Sequence, residues 1–198
     1  MKYAKEALHE IIGHITAAAN EIDQNKAEEL LKLLVSSKRI FVYGMGRSGL
    51  VASAFAMRLA HIDLEVHVIG ETTTPGIQKN DTLFLISGSG NTHSIVSAAE
   101  VAKERGAKIC AMTSNPLSEV ARLSDIFLIV KGRTKSDVEH LKKDYLKNQM
   151  RGSYVPLTPL GTLFEDACMI FLDAAVVEMM HFLGKTEKDL AKKHANIE

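Results

Sequence analysis

Apolar residues recur at helical spacing at the start of the chain. Leu8, Ile11, Ile12 and Ile15 predict a helix over Lys2 to Ala19, and Leu30, Leu31, Leu33 and Leu34 predict a second one behind Asp23. The texture then changes to short apolar runs. Arg39 to Gly44 reads as a buried strand ending in glycine, and Ser48 to Ile62 as a helix with Val51, Phe55, Leu59 and Ile62 on one face. Val66 to Ile69, Thr82 to Ile86, Lys108 to Met112 and Ile126 to Val130 read as four more strands. Helices over Thr92 to Arg105 and near Leu117 to Leu123 separate the later ones. Such alternation predicts an α/β fold, a parallel sheet with helices on both faces. The link from Gly70 to Asp81 is too short for a crossover helix and is expected to be a loop. Lys131 to Pro159 is polar and is expected to be a mobile or partly helical connection. Leu163 to Leu183 is a long helix apolar on nearly every side, which predicts burial all round and, in a chain of this size, a subunit interface. Gly184 is its expected C-cap, and Thr186 with Asp189 marks a last helix ending near His194. The expected organisation is one domain: N-terminal helices over about 2–36, a sheet core over about 39–130 and C-terminal helices over about 161–194.

Composition narrows the function. The 198 residues are 46% hydrophobic and 24% charged, the profile of a globular protein with a real core. Lys plus Arg and Asp plus Glu are 24 each, so there is no basic excess to bind nucleic acid or a membrane surface. Glu165, Asp166, Asp173, Glu178 and His181 make the most apolar window too costly to place in a bilayer. No secretory leader is read at Met1 to Ala7. Cys110 and Cys168 sit in apolar runs and are expected to be buried thiols in a reducing, cytoplasmic compartment.

The candidate chemistry lies in two glycine turns. Gly44-Met45-Gly46-Arg47-Ser48-Gly49 follows a strand and opens a helix, as an anion-binding turn does, because the helix N-terminus offers free N–H groups and a positive dipole end. With Glu71 near the end of strand two, a dinucleotide site fits this turn as well. Ser87-Gly88-Ser89-Gly90-Asn91-Thr92 follows strand three and opens another helix. Its hydroxyls and glycines suit a phosphate dianion. Strands one and three of a doubly wound sheet are often neighbours, and the crevice between them is the switch point where ligands bind. Two such turns at one crevice point to a small phosphorylated ligand, with Gly46, Arg47, Ser48, Ser87, Ser89, Asn91 and Thr92 as its contacts. A plain tight turn at the first site and simple helix caps at the second are the alternatives.

Together these turns resemble the sugar isomerase (SIS) domain, and within it the 6-phospho-3-hexuloisomerase family. Ala56 to His61, Gly70 to Pro75, Thr113 to Pro116, Pro159 to Glu165 and His194 to Glu198 extend the likeness along the chain. Asn91 departs from it, since SIS turns often carry Glu there. The resemblance implies a three-layer α-β-α sandwich around a five-stranded parallel sheet in flavodoxin-like order. It also implies a homotetramer with sites between subunits, no metal and no organic cofactor. The implied reaction interconverts 3-hexulose 6-phosphate and fructose 6-phosphate in the ribulose monophosphate route of formaldehyde fixation.

That reaction needs a base to move a proton between C2 and C3 through an enediol. On the resemblance, Glu165 is the first candidate. The competing reading is a capping box, Thr162-Leu163-Phe164-Glu165. His61 and His194 are candidate proton carriers on the same ground, His61 for a neighbouring subunit's site. A partly buried structural histidine and a solvated tail histidine are the alternatives. Arg47 is placed to meet substrate oxygens or steady the enediolate. Two other functions remain: a non-catalytic phosphosugar sensor, or a nicotinamide-dependent oxidoreductase resting on the first turn alone. Arabinose 5-phosphate is an alternative substrate.

Overall fold

The computed structural model describes residues 1–132 and 158–193. The expected connection after Lys131 and the tail from His194 therefore lie wholly or mostly outside the described residues. In chain order the elements are α1 (Lys2–Glu21), α2 (Gln24–Ser36), β1 (Ile40–Gly44), α3 (Arg47–His61), β2 (Val66–Val68), β3 (Thr82–Ile86), α4 (His93–Glu104), β4 (Lys108–Thr113), α5 (Glu119–Leu123), β5 (Ile126–Ile129), α6 (Thr162–Leu183) and α7 (Glu187–Ala191). Each expected strand and helix is present, with ends shifted by a few residues at most. The strands form one sheet in the order β2-β1-β3-β4-β5. All pairings are parallel, and β1 matches β3 from Ile40 opposite Thr82 to Gly44 opposite Ile86.

Alternation of side chains along each strand divides the core in two. Ile40, Val42, Phe84, Ile86, Cys110 and Met112 face a cluster built from α2, α3 and α6. Phe41, Leu83, Leu85, Ile109 and Ala111 face the other way, against α4 and α5. All five residues of β3 are buried, as a central strand covered on both faces must be. Both cysteines are buried free thiols. Burial pushes each well up, so neither acts as a thiolate.

Gly70 to Asp81 is a loop, held at its end by a buried ion pair. Arg39 Nε and Nη2 donate to Asp81 at 3.0 and 2.6 Å, and the Gln78 N–H donates at 2.7 Å. Burial alone would raise the Asp81 carboxyl, but the bonds from Arg39 and Gln78 outweigh it and hold it below the usual range. The loop carries the chain from the edge strand β2 past β1 to β3 on its other side.

Two helices bear on the expectations, which placed α6 at a subunit interface and ended the last helix near His194. α6 is not buried all round within the chain: Leu163, Phe164, Ala167, Cys168, Leu172, Ala175, Val176 and Met179 are buried on one side, while Ile170 and Val177 are exposed. Its apolar composition exceeds what a single chain covers. The last helix ends at Ala191, short of His194. Thr186 and Asp189 form the expected capping box, and Gly184 takes the left-handed C-cap conformation. α7 is moored to the far end of α3 by Asp63, which accepts from Lys185 Nζ at 2.6 Å and pairs with Lys193 Nζ at 2.8 Å. Bonding to these lysines lowers the Asp63 carboxyl to about 2.

Candidate active site

β1 and β3 are neighbours whose following helices lie on opposite faces of the sheet, so their C-terminal ends open a crevice. A cavity of about 380 Å³ occupies it, within the range of small-molecule sites. Gly46 and Ser48 bound it on one side, Ser87, Ser89 and Thr92 on another, and Glu165 closes it from α6. Phe164, Ile86 and Ile95 supply apolar wall.

The first turn is compact for a stated reason. A Cβ on Gly44 would lie 2.5 Å from the Ser48 carbonyl oxygen, and one on Gly49 would lie 2.7 Å from the Gly44 oxygen. Strand and helix backbones therefore touch, which only glycine permits. Gly46, the N-cap of α3, has φ of 59°, outside the usual L-residue range. α3 thus begins at the cavity wall with its N-terminus towards the space beside Ser48.

Glu165 stands in the first turn of α6 with a side chain only 12% exposed. The capping-box reading fails. The N-cap is Gly161, with φ of 90° and no side-chain cap bond, and the Glu165 carboxylate turns instead to α3. Arg47 Nε donates to Oε2 at 2.7 Å, and Ser48 Oγ approaches Oε1 at 3.4 Å. Arg47 Nη2 donates to Asp166 at 2.8 Å. The arginine thus bridges two carboxylates, and hydrogen bonding to Glu165 raises its already high pKa. Arg47 is not among the residues lining the cavity; it sits behind the Glu165 carboxylate.

In the second turn, Ser87 is buried and its hydroxyl accepts from the Gly90 N–H at 3.2 Å. Thr92 is the N-cap of α4 but makes no side-chain cap bond, so its hydroxyl remains directed at Ser89 Oγ, 3.5 Å away at the cavity. The simple-cap alternative therefore does not account for Thr92. Asn91 is different. Its Oδ1 accepts from the Glu119 N–H at 2.9 Å and caps the start of α5, so the side chain faces away from the cavity. Sequence adjacency placed it at the rim, but its amide serves the neighbouring loop.

His61 is not brought to this crevice within the chain. His61 is the last residue of α3, whose first turn forms the site; 15 residues at 1.5 Å each put it roughly 20 Å away. His194 lies outside the described residues. Asp166 and the wall residue Phe164 were missed in the sequence. Asp166 left a signal: two adjacent carboxylates open a helix that is otherwise mainly apolar.

Comparison with known proteins points to one family. The family model described as SIS domain matches residues 33–142. An uncharacterized protein of Aeropyrum pernix is 44% identical over 197 residues, spanning 98% of this chain and 92% of the relative. The 3-hexulose-6-phosphate isomerase of Bacillus subtilis is 34% identical over 193 residues, spanning 98% of each chain. A crystal structure from Methanococcus jannaschii, for which a molecular function of 3-hexulose-6-phosphate isomerase was inferred, matches with a TM-score of 0.78 at 33% identity. That match covers 98% of this chain and 99% of the other. A fold with two facing glycine turns, a carboxylate between them and relatives of this kind leads to one conclusion: the chain belongs to the SIS domain family, alongside the 3-hexulose-6-phosphate isomerases.

Proposed function

We propose that this chain isomerises 3-hexulose 6-phosphate and fructose 6-phosphate, with Glu165 moving the proton. The observation that carries the reading is the placement of a nearly buried carboxylate across a 380 Å³ cavity from a turn of hydroxyls. The phosphate is taken by Ser87, Ser89, Thr92 and the N-terminus of α4, and the sugar chain runs towards Glu165. The carboxylate removes the C2 proton, the C2–C3 enediol forms, and a proton returns to C3. C2 is oxidised and C3 reduced within one molecule, so no external electron carrier enters the balance. Arg47 behind the carboxylate and the N-terminus of α3 supply positive potential where the enediolate charge develops. Curated relatives bearing that enzyme name support the substrate, and with it a place in formaldehyde fixation.

Assembly as a homotetramer belongs to the same reading. Ile170 and Val177 on α6 and Ile12 on α1 are exposed apolar side chains that a second copy would cover. His61 then serves a neighbouring subunit's site, and His194 remains the second proton carrier of this reading. Sedimentation at micromolar concentration tests this, and a monomer would contradict it.

The function is tested by incubating fructose 6-phosphate with the purified protein in D₂O and following the sugar by NMR. Deuterium at C3 with a new 3-ketose phosphate is expected. Deuterium at C1 with an aldose phosphate would replace the substrate assignment, and binding without exchange would favour a phosphosugar sensor.

A further inference from the structure

The stretch from the last residue of β4 into α5, Thr113 to Val120, lines none of the cavity, yet it holds the second turn from behind at two carbonyl oxygens, those of Gly88 and Gly90. The Gly88 carbonyl oxygen accepts three bonds from it: from the Ser114 N–H at 3.0 Å, the Ser114 hydroxyl at 2.7 Å and the Thr113 hydroxyl at 3.2 Å. The Gly90 carbonyl accepts from the Val120 N–H at 3.0 Å. A Cβ on Gly90 would collide with the Ser118 side chain and lie 2.9 Å from Thr113 Oγ1.

In a trans peptide the C=O and the following N–H point in opposite directions, and no peptide bond described here is cis. Pulling the Gly88 oxygen back towards Ser114 therefore turns the Ser89 N–H forward, to the cavity that Ser89 lines. Among the described residues no protein acceptor takes that N–H. The Gly90 oxygen, drawn to Val120, likewise turns the Asn91 N–H forward, where it lies 3.4 Å from Ser89 Oγ. The result is an oriented concavity of N–H and hydroxyl donors suited to a phosphate dianion.

We propose that Ser114, assisted by Thr113, is a positioning residue for phosphosugar binding. It fixes the peptide plane between Gly88 and Ser89 so that the Ser89 N–H is presented to the phosphate before substrate arrives. Ser114 itself touches no substrate. The inference rests on the phosphosugar reading of the cavity.

The test uses the ¹⁵N-labelled full chain, titrated with inorganic phosphate and with fructose 6-phosphate. In the wild type the Ser89 and Asn91 amides are expected to shift on binding of either. Ser114→Ala removes the shortest of the three bonds and leaves the other two. Its affinity for phosphate should fall about five- to tenfold, the effect of one lost hydrogen bond. KM should rise by a similar factor while kcat moves far less, and Ser114→Thr should restore both. A merely structural serine would lower thermal stability without splitting KM from kcat. Wild-type affinity in Ser114→Ala would overturn the proposal. So would binding of phosphate by the wild type with no shift at Ser89, a result that stands even if the alanine variant fails to fold. Amide shifts on binding without any C2–C3 exchange would sink the isomerase reading and leave the positioning role intact.

Discussion

Glu165→Gln separates catalysis from stability at the residue proposed as the base. Glutamine keeps the shape and one carbonyl oxygen, so the Arg47 Nε bond, 2.7 Å long with Glu165, is retained in neutral form. Arg47 also keeps Asp166 at 2.8 Å, so no buried cation is orphaned. The arginine side chain is 54% exposed, which places the lost ion pair in the weak, screened class of about 0.2–1 kcal/mol. Losing a negative charge in the first turn of α6 adds about 0.3–1 kcal/mol. The stability loss should therefore be about 1 kcal/mol and no more than about 2. Removing a general base slows reaction by about 10² to 10⁴, equivalent to roughly 3–5 kcal/mol of barrier. The catalytic loss thus exceeds the stability loss, and a domain with 5 kcal/mol or more in hand stays folded (about 5–15 is usual). Deuterium exchange at C3 of fructose 6-phosphate gives the first quantity and urea unfolding the second. Exchange within about threefold of wild type would place the base elsewhere. A loss above about 3 kcal/mol together with abolished sugar binding would make Glu165 a structural residue.

Three further outcomes are expected. Gly90→Ala forces a side chain into a φ of 62° and onto Ser118, and should cost about 2–4 kcal/mol in urea unfolding while abolishing phosphate binding; a cost under about 1 kcal/mol would contradict the packing described. Asp81→Ala leaves Arg39, whose side chain is 16% exposed, without its buried partner and should cost about 3–5 kcal/mol, read by the same assay. The Asp81 carboxyl is depressed in the folded state, so its stabilisation is complete above the unfolded carboxylate range near pH 4 and disappears as pH falls through the lower folded value. Asp81→Asn should flatten the acid limb of the stability–pH curve, and an unchanged limb would assign that slope to other groups.

Much of this architecture was readable because buried strands announce themselves. Phe41, Phe84 and Leu128 sit in runs too apolar and too short to be anything else, and the glycine turns fix where the strands feed helices. What the residues alone could not supply was direction. Arg47 and Ser48 are adjacent, yet Ser48 lines the cavity while Arg47 passes behind the carboxylate. Asn91 lies within the phosphate turn, yet its amide caps α5. Thr162 and Glu165 have capping-box spacing, but Gly161 at a positive φ takes the cap and frees the carboxylate. His61 shows the scale of the problem: a helix carries a motif residue a full helix length from the turn beside which it is read.

The mooring of α7 sets how this protein comes apart locally. Five residues with only Leu190 buried offer little apolar cohesion, and among the described residues the ion pairs that tie them to the rest converge on one carboxylate, Asp63, shared by Lys185 and Lys193 at the surface. Such contacts weaken as the Debye length shrinks with added salt. The segment therefore forms the lowest rung of a ladder of opening events, able to detach while the sheet stays closed. Amide exchange over residues 185–193 should be fast, accelerate with ionic strength and remain uncoupled from exchange in β3. Residues 185–193 carry their own salt-dependent equilibrium, superimposed on a core held by apolar burial.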